Sequence, residues 1–252
     1  MTKSAAVIVG VGERQGIGGA VACLAAANGL HVFVGGRTQA KLDAIVSEIQ
    51  RDGGKATAVV LDCTKPADID RLFSIVDKSG LPLSLIVYNT GRNIPAPFLE
   101  SNRALEDGHW RRCVYGAFLV SQHAIRRQLH NPQDTAGRGS ILFTGASASL
   151  RGKPLFAGFS AAKAALRAMA QSIAREFGPQ GIHVAHVVID GLVDGAIVRS
   201  FGAGLGQLAL GRKGSGGALL PDEVAKSFWM LHQQPRTAWT HELDLRPYKE
   251  SF

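Results

Sequence analysis

The chain is poor in cysteine. Cys23, Cys63 and Cys113 are the only three in 252 residues, and no two share a CxxC spacing. That excludes a disulfide framework and a cysteine-ligated metal, and no metal site is expected; a reducing, cytoplasmic setting is the simplest home. Long apolar runs are missing too: none reaches the ~18 residues that a membrane span needs, so no membrane association is expected. The opening "MTKSAAVIVG" has one lysine and a short Val/Ile run ending in glycine, which reads as a first strand rather than a signal segment. Clustered charge is also absent. Lys and Arg number 28 against 20 acids, a net charge of +8, yet the basic residues occur at most in pairs such as Arg111-Arg112 and Arg126-Arg127. Dispersed charge argues against nucleic acid and for solubility plus attraction to an anionic small molecule.

What is present is glycine, 30 residues of it, and a 46% apolar share. Short β-branched runs alternate with helical patterns. Strands are expected at 5–10, 31–36, 56–62, 83–89, 139–145 and 182–190, with a last one in "TAWTHELDLRP". Helices are expected at 17–28, in "TQAKLDAIVSEIQRDGG" with Thr38 as N-cap, and in "PADIDRLFSIVDKSG" with Pro66 in its first turn. Others are expected over 102–130 and 155–178, and from Pro221 to about Gln233. Continuous apolar strands separated by helices predict an α/β, doubly wound parallel sheet of about seven strands, covered on both faces. No linker divides the chain, so 1–252 reads as a single domain. The stretch 195–218, "GAIVRSFGAGLGQLALGRKGSGGA", carries little periodic signal and follows a strand's C-terminal end. Ligands bind outside such ends, so it reads as a mobile substrate lid, with an ordinary flexible loop as the alternative.

"VIVGVGERQGIGGAV" places Gly12, Gly16 and Gly18 between the first strand and the first helix. A dinucleotide pyrophosphate needs a tight turn, close backbone approach and a helix N-terminus aimed at its charge. A glycine triplet alone is weak evidence, but in this strand–turn–helix context it is strong. The second strand ends "GGRTQAKL", with no acid to accept from a ribose 2′-OH. Arg37 can pair with a 2′-phosphate instead, and Arg14 can add a second positive charge, which favours NADP(H) over NAD(H). The alternative for Arg37 is stacking beside the adenine or capping a surface.

These residues resemble the short-chain dehydrogenase/reductase family, whose glycine turn reads TGxxxGIG. Here Gly12, Gly16, Ile17 and Gly18 match and only the leading Thr is missing. The resemblance extends over nearly the whole chain. "LDC" resembles the adenine-bracketing segment, with Asp62 and Cys63. "YNTG" resembles NNAG, with Asn89 and Gly91. "IDGLV" resembles the PG segment beside the nicotinamide, with Gly191 and Val193, but Asp190 replaces the Pro and Gly195 stands where a Thr often contacts the carboxamide. Lys163 matches the lysine of YxxxK.

The resemblance implies a Tyr acid whose pKa is lowered by Lys, a Ser that bonds the substrate oxygen, and an Asn that holds a water relay. Three of the four positions differ. Phe159 stands at the Tyr position. The Ser position falls on Ala146, although Ser147 next door can substitute if the turn shifts by one. Cys113 falls at the Asn position, with no histidine placed to activate it. Asp190 reads as a turn former, with a general acid as the alternative. Tyr115 lies about 200° around a helix from Cys113 and reads as packing. Lys163 can still hold the ribose hydroxyls.

Two functions remain open. One is an NADP(H)-dependent reductase of a small carbonyl or conjugated C=C substrate with a non-standard site. Within the family, dienoyl-CoA reductases lack the tyrosine and send hydride to a conjugated double bond. The other is a catalytically inactive NADP(H)-binding sensor or regulatory subunit. The helices at 102–130 and 155–178 correspond to the family's dimer-forming pair, so a homodimer or homotetramer is expected. The C-terminal "LDLRPYKESF" is a candidate to reach a neighbouring subunit's site.

Overall fold

A computed structural model describes residues 4–250. The last two residues of the C-terminal candidate segment and the first three of the chain lie outside them. Seven strands form one sheet: β1 (Ala5–Val9), β2 (His31–Gly36), β3 (Lys55–Val60), β4 (Leu83–Tyr88), β5 (Gly139–Thr144), β6 (Ile182–Ile189) and β7 (Glu242–Leu245). The order is β3-β2-β1-β4-β5-β6-β7, and every pairing is parallel. Parallel neighbours require crossovers, and the helices supply them.

On one face lie α1 (Ile17–Ala27), α2 (Gln39–Arg51) and α9 (Pro221–Gln233); on the other α3 (Pro66–Lys78), α5 (Gly116–Gln128) and α6 (Ala157–Phe177). Because side chains alternate along a strand, each face takes alternate residues. Ala6, Ile8, Val32, Val34 and Val87 pack with α1, α2 and α9. Ala5, Val7, Val9, Phe33 and Ile86 pack with α3, α5 and α6. Both layers are buried, which explains strands that are mostly apolar on both faces. Prolines open α3 and α9 at their first turns, and Thr38 occupies the N-cap of α2, although its side chain makes no capping bond.

The strand order reverses between β1 and β4. The crevice outside their C-terminal ends is the place where this architecture binds ligands. At this edge Gly36 has no room for a side chain, since a Cβ would stand 2.2 Å from the Val11 carbonyl oxygen. Close packing of the β1 and β2 ends is thus one reason no acid stands there.

Two expected elements differ. The long helix over 102–130 is interrupted: α4 (Arg103–Trp110) runs into a π-helical turn at Arg111–Tyr115 before α5 begins. The wider turn changes the Arg112 carbonyl's partners. It accepts hydrogen bonds from the Tyr88 hydroxyl and the Thr90 hydroxyl, both at 2.5 Å, so the end of β4 holds it. Gly116 leaves room for this, as a Cβ there would meet the Tyr88 oxygen at 2.3 Å. The stretch 195–218 is not structureless either. It holds α7 (Ala196–Arg199) and α8 (Leu205–Lys213), joined by a turn at Gly202–Gly204. Its glycines hid these short helices from a periodicity reading.

Candidate active site

The β1–α1 turn is open where a phosphate would approach. A Cβ on Gly12 would meet nothing within 4 Å. The N-cap of α1 is Gly16, with no capping side chain and no acid in the first turn. The helix's first amides are therefore left for an anion. Gly18 lies against the Asn89 side chain, which is fixed by donating to the Gly10 carbonyl at 3.1 Å. Arg37 is exposed just past β2 and makes no ion pair or hydrogen bond among the described residues. These residues fit a nicotinamide dinucleotide.

Arg14 behaves differently from expectation. Its guanidinium bonds Glu48 of α2 at 2.7 Å and Asp222 of α9 at 2.9 Å. The expected second charge for a 2′-phosphate is committed to bracing the turn against two helices. Asp62 accepts two bonds from Thr64, at 3.0 Å from its amide and 2.8 Å from its hydroxyl. Burial works to raise its pKa, but the Thr64 bonds, with Lys65 and Arg37 nearby, hold it below the usual value. The Cys63 thiol is buried, and burial pushes its pKa up. Val193 pairs with Leu219 in an isolated bridge, and Gly191 lines the cavity described next.

A cavity of about 380 Å³ opens at the C-terminal ends of β4, β5 and β6. Its walls bring together Ile17, Asn89, Gly91, Ser147, Phe159 and Lys163. Lys163 is 3% exposed, and its ammonium donates to the carbonyls of Thr144 at 2.7 Å and Thr90 at 3.2 Å. Two of its three protons are so used, leaving one for a ligand. Burial draws its pKa below the usual lysine value, partly opposed by Cys113. The Phe159 ring is the nearest aromatic face, 5.8 Å from the ammonium.

The three departures from the family pattern touch one another. Cys113, Phe159 and Ala162 form one buried apolar cluster, with Ala146 packed against it. Cys113 is fully buried, and burial raises its thiol pKa, which keeps it protonated and unreactive. It does not line the cavity. Polar capacity survives only around the cluster. Ser147 lines the cavity at the start of a short 3₁₀ turn, Ser147–Ser149. Thr144 and Ser160 also line it, but their hydroxyls are buried and have no partner among the described residues.

The Asp190 side chain, expected to form a turn, bonds two arginines instead. It is 3% exposed and clamped between two guanidiniums, Arg246 at 2.6 Å and Arg151 at 3.0 Å. Sequence spacing carried no signal for this, because the partners lie 39 and 56 residues away. Sequence reading likewise missed Arg151, Lys153, Ser160 and Asn93, all on the cavity wall. Tyr115 lies outside it. Among the described residues no group of His, Cys, Asp and Glu could hold a metal, and no helix is long and apolar enough to cross a membrane.

This sheet, glycine turn and cavity define a nicotinamide-dependent oxidoreductase architecture. A model of the short chain dehydrogenase family matches residues 5–204. A short-chain dehydrogenase from Rhodopseudomonas palustris is 34% identical and superposes with a TM-score of 0.79, covering 98% of this chain and 99% of its own. The oxidoreductase asL5 of Sarocladium schorii is 32% identical over 184 residues, 73% of this chain and 70% of its own. A 3-oxoacyl-[acyl-carrier-protein] reductase of a Synechocystis species is 28% identical over 243 residues, 94% of this chain and 92% of its own. The chain belongs to the short-chain dehydrogenase/reductase family, whose members bind a nicotinamide cofactor.

Proposed function

We propose that this protein is an NADP(H)-dependent reductase of a small carbonyl or conjugated C=C compound, working without the family's tyrosine. The observation that carries the reading is the single cavity joining the glycine-turn side, at Ile17 and Asn89, to Lys163 and Ser147. Bound NADPH would supply the hydride. The chain's own residues would do the rest. The α1 amides and Gly12 would hold the pyrophosphate, Arg37 the 2′-phosphate, and the free proton of Lys163 a ribose hydroxyl. Phe159 would exclude water from the hydride face. Ser147 would donate to the substrate oxygen, and solvent entering beside it would replace the proton. The residues at 195–218 would close over the cavity. Two features support this: the Ala196 amide is bonded to the Gln15 carbonyl at 2.7 Å, and Ile197, Phe201 and Leu205 are exposed.

The apolar cluster at 113, 146 and 159 favours a second reading, an inactive cofactor-binding subunit. One experiment separates them. NADPH and NADH are titrated into the protein, and NADPH oxidation is followed against ketones, enals and enoyl thioesters. Tight NADPH binding with turnover of one class supports the reductase. Tight binding with no turnover beyond a Lys163→Ala control overturns it for the subunit reading. The outer faces of α4 and α5 expose Trp110 and Phe118, which supports a homodimer or homotetramer. Sedimentation at equilibrium measures it.

A further inference from the structure

The cavity wall carries three cations, Arg151, Lys153 and Lys163, and no carboxylate. An apolar ketone or enal has no use for such a wall. Lys163 is turned onto two carbonyls, as described. Arg151 uses one nitrogen, Nη2, to bond both Asp190 oxygens, at 3.0 and 3.1 Å. Its Nη1 and Nε make no hydrogen bond among the described residues, so half of the fork is open. The Lys153 side chain is exposed and makes neither ion pair nor hydrogen bond among the described residues. The other local source of positive potential, the N-terminus of α6, is already answered: the Glu106 carboxylate lies against Gly158 in its first turn, off the cavity wall.

The clamp on Asp190 explains why Arg151 is held in place. Asp190 is buried at the end of β6, and Arg246, only 15% exposed, holds it from the β7 side. Arg151 is thus braced from behind by a fixed carboxylate. A guanidinium so held loses little freedom when it binds, which suits recognition of a planar or tetrahedral oxyanion. Arg246 also bonds Asp244, at 3.1 Å, whereas Arg151 bonds Asp190 alone and keeps Nε and Nη1 for a ligand.

We infer that the substrate carries an anionic group, a carboxylate or a phosphate monoester, and that Arg151 and Lys153 bind it. This inference rests on the cavity being the reductase's substrate site. The Arg151 fork forms charge-assisted bonds, and Lys153 adds a second, solvent-exposed cation on the same wall. Discrimination of an acid from its neutral counterpart is then roughly ten- to hundredfold.

The test measures binding rather than turnover. NADPH fluorescence in the protein complex reports titrations of 4-oxopentanoate against its methyl ester, and of hydroxyacetone phosphate against hydroxyacetone. One anion binding roughly tenfold or more tighter than its neutral partner supports the inference, and which pair responds tells carboxylate from phosphate. The preference should collapse in Arg151→Gln and fall severalfold in Lys153→Gln. Lys153 has no partner to lose, so that variant keeps the test alive if Arg151→Gln fails to fold. Equal binding of acid and neutral partner in both pairs overturns the inference, as does a preference that survives Lys153→Gln together with Arg151→Gln. Should NADPH itself not bind, the reductase reading falls by that result alone. The same pairs compared by thermal shift on the cofactor-free protein then decide the anion site separately.

Discussion

The two sides of the crevice have been treated differently. On the β1–β2 side the glycine turn is intact, Gly12 faces open space, and Arg37 stands free just beyond a strand end closed to acids. On the β5–α6 side Cys113, Phe159 and Ala162 form one apolar cluster with Ala146 against it, and the buried Lys163 lies beside the Phe159 ring. Binding a dinucleotide needs backbone geometry, which glycines supply. Donating a proton needs a particular side chain, which one substitution removes. The first side thus offers backbone for a cofactor, while the polar side chains on the cavity's other wall include Ser147, Arg151, Lys153 and Lys163.

The sharpest way to break the comparison is Gly12→Val. The side chain meets no protein atom, so the melting temperature should hold while NADPH affinity falls at least about a hundredfold, worth about 2.7 kcal/mol. Loss of stability without loss of affinity would mean that the turn is not a ligand cradle. Acid should strike the other side first. Burial lowers His186 and His232 to about 4, against an ordinary unfolded value of about 6.5. Between those values the unfolded chain holds more protons, so stability present above pH 6.5 is lost as pH falls toward 4. Each histidine accounts for at most on the order of 3–4 kcal/mol. His186 bonds Ser149, and His232 bonds Ser140, so hydrogen exchange at pH 5 should open β5–β7 before β1–β3.

A smaller effect is expected at Arg37. Changing it to Gln should cut the NADPH-over-NADH preference by about tenfold, read from paired titrations, through loss of a charge-assisted bond. An unchanged ratio would leave Arg37 as a surface residue. Smallest is Phe159→Tyr. The ring stays in its cluster and the new hydroxyl lies near Lys163, at a stability cost of about 1 kcal/mol. Carbonyl turnover that rises severalfold would show that the β5–α6 side differs from its relatives by little more than that group. Turnover that falls would show that the apolar cluster is itself part of the working geometry.

The fold was legible because every signal for it is local. Alternating β-branched runs mark the strands, Pro66 and Pro221 open their helices, and the glycine turn stands between β1 and α1. Site features that depend on distant residues were not. The interruption at Cys113 involves hydroxyls on Tyr88 and Thr90 from another element. The Asp190 clamp joins β6 to a loop and to the chain's last strand. Arg14 looked like a free cation until α2 and α9 brought Glu48 and Asp222 beside it. In each case the side chain's role is set by a partner that no spacing rule names.

The Arg112 carbonyl is fastened by two hydroxyls, one on the last residue of β4 and one two residues beyond it. It acts as a peg driven in from outside the helix, so the backbone beside it does not rely on whichever side chain follows. Position 113 is therefore a socket: its contents can be exchanged while the rod on either side stays put. Cys113→Asn would refit the socket with a polar group, and the surrounding helices should keep their register when it does.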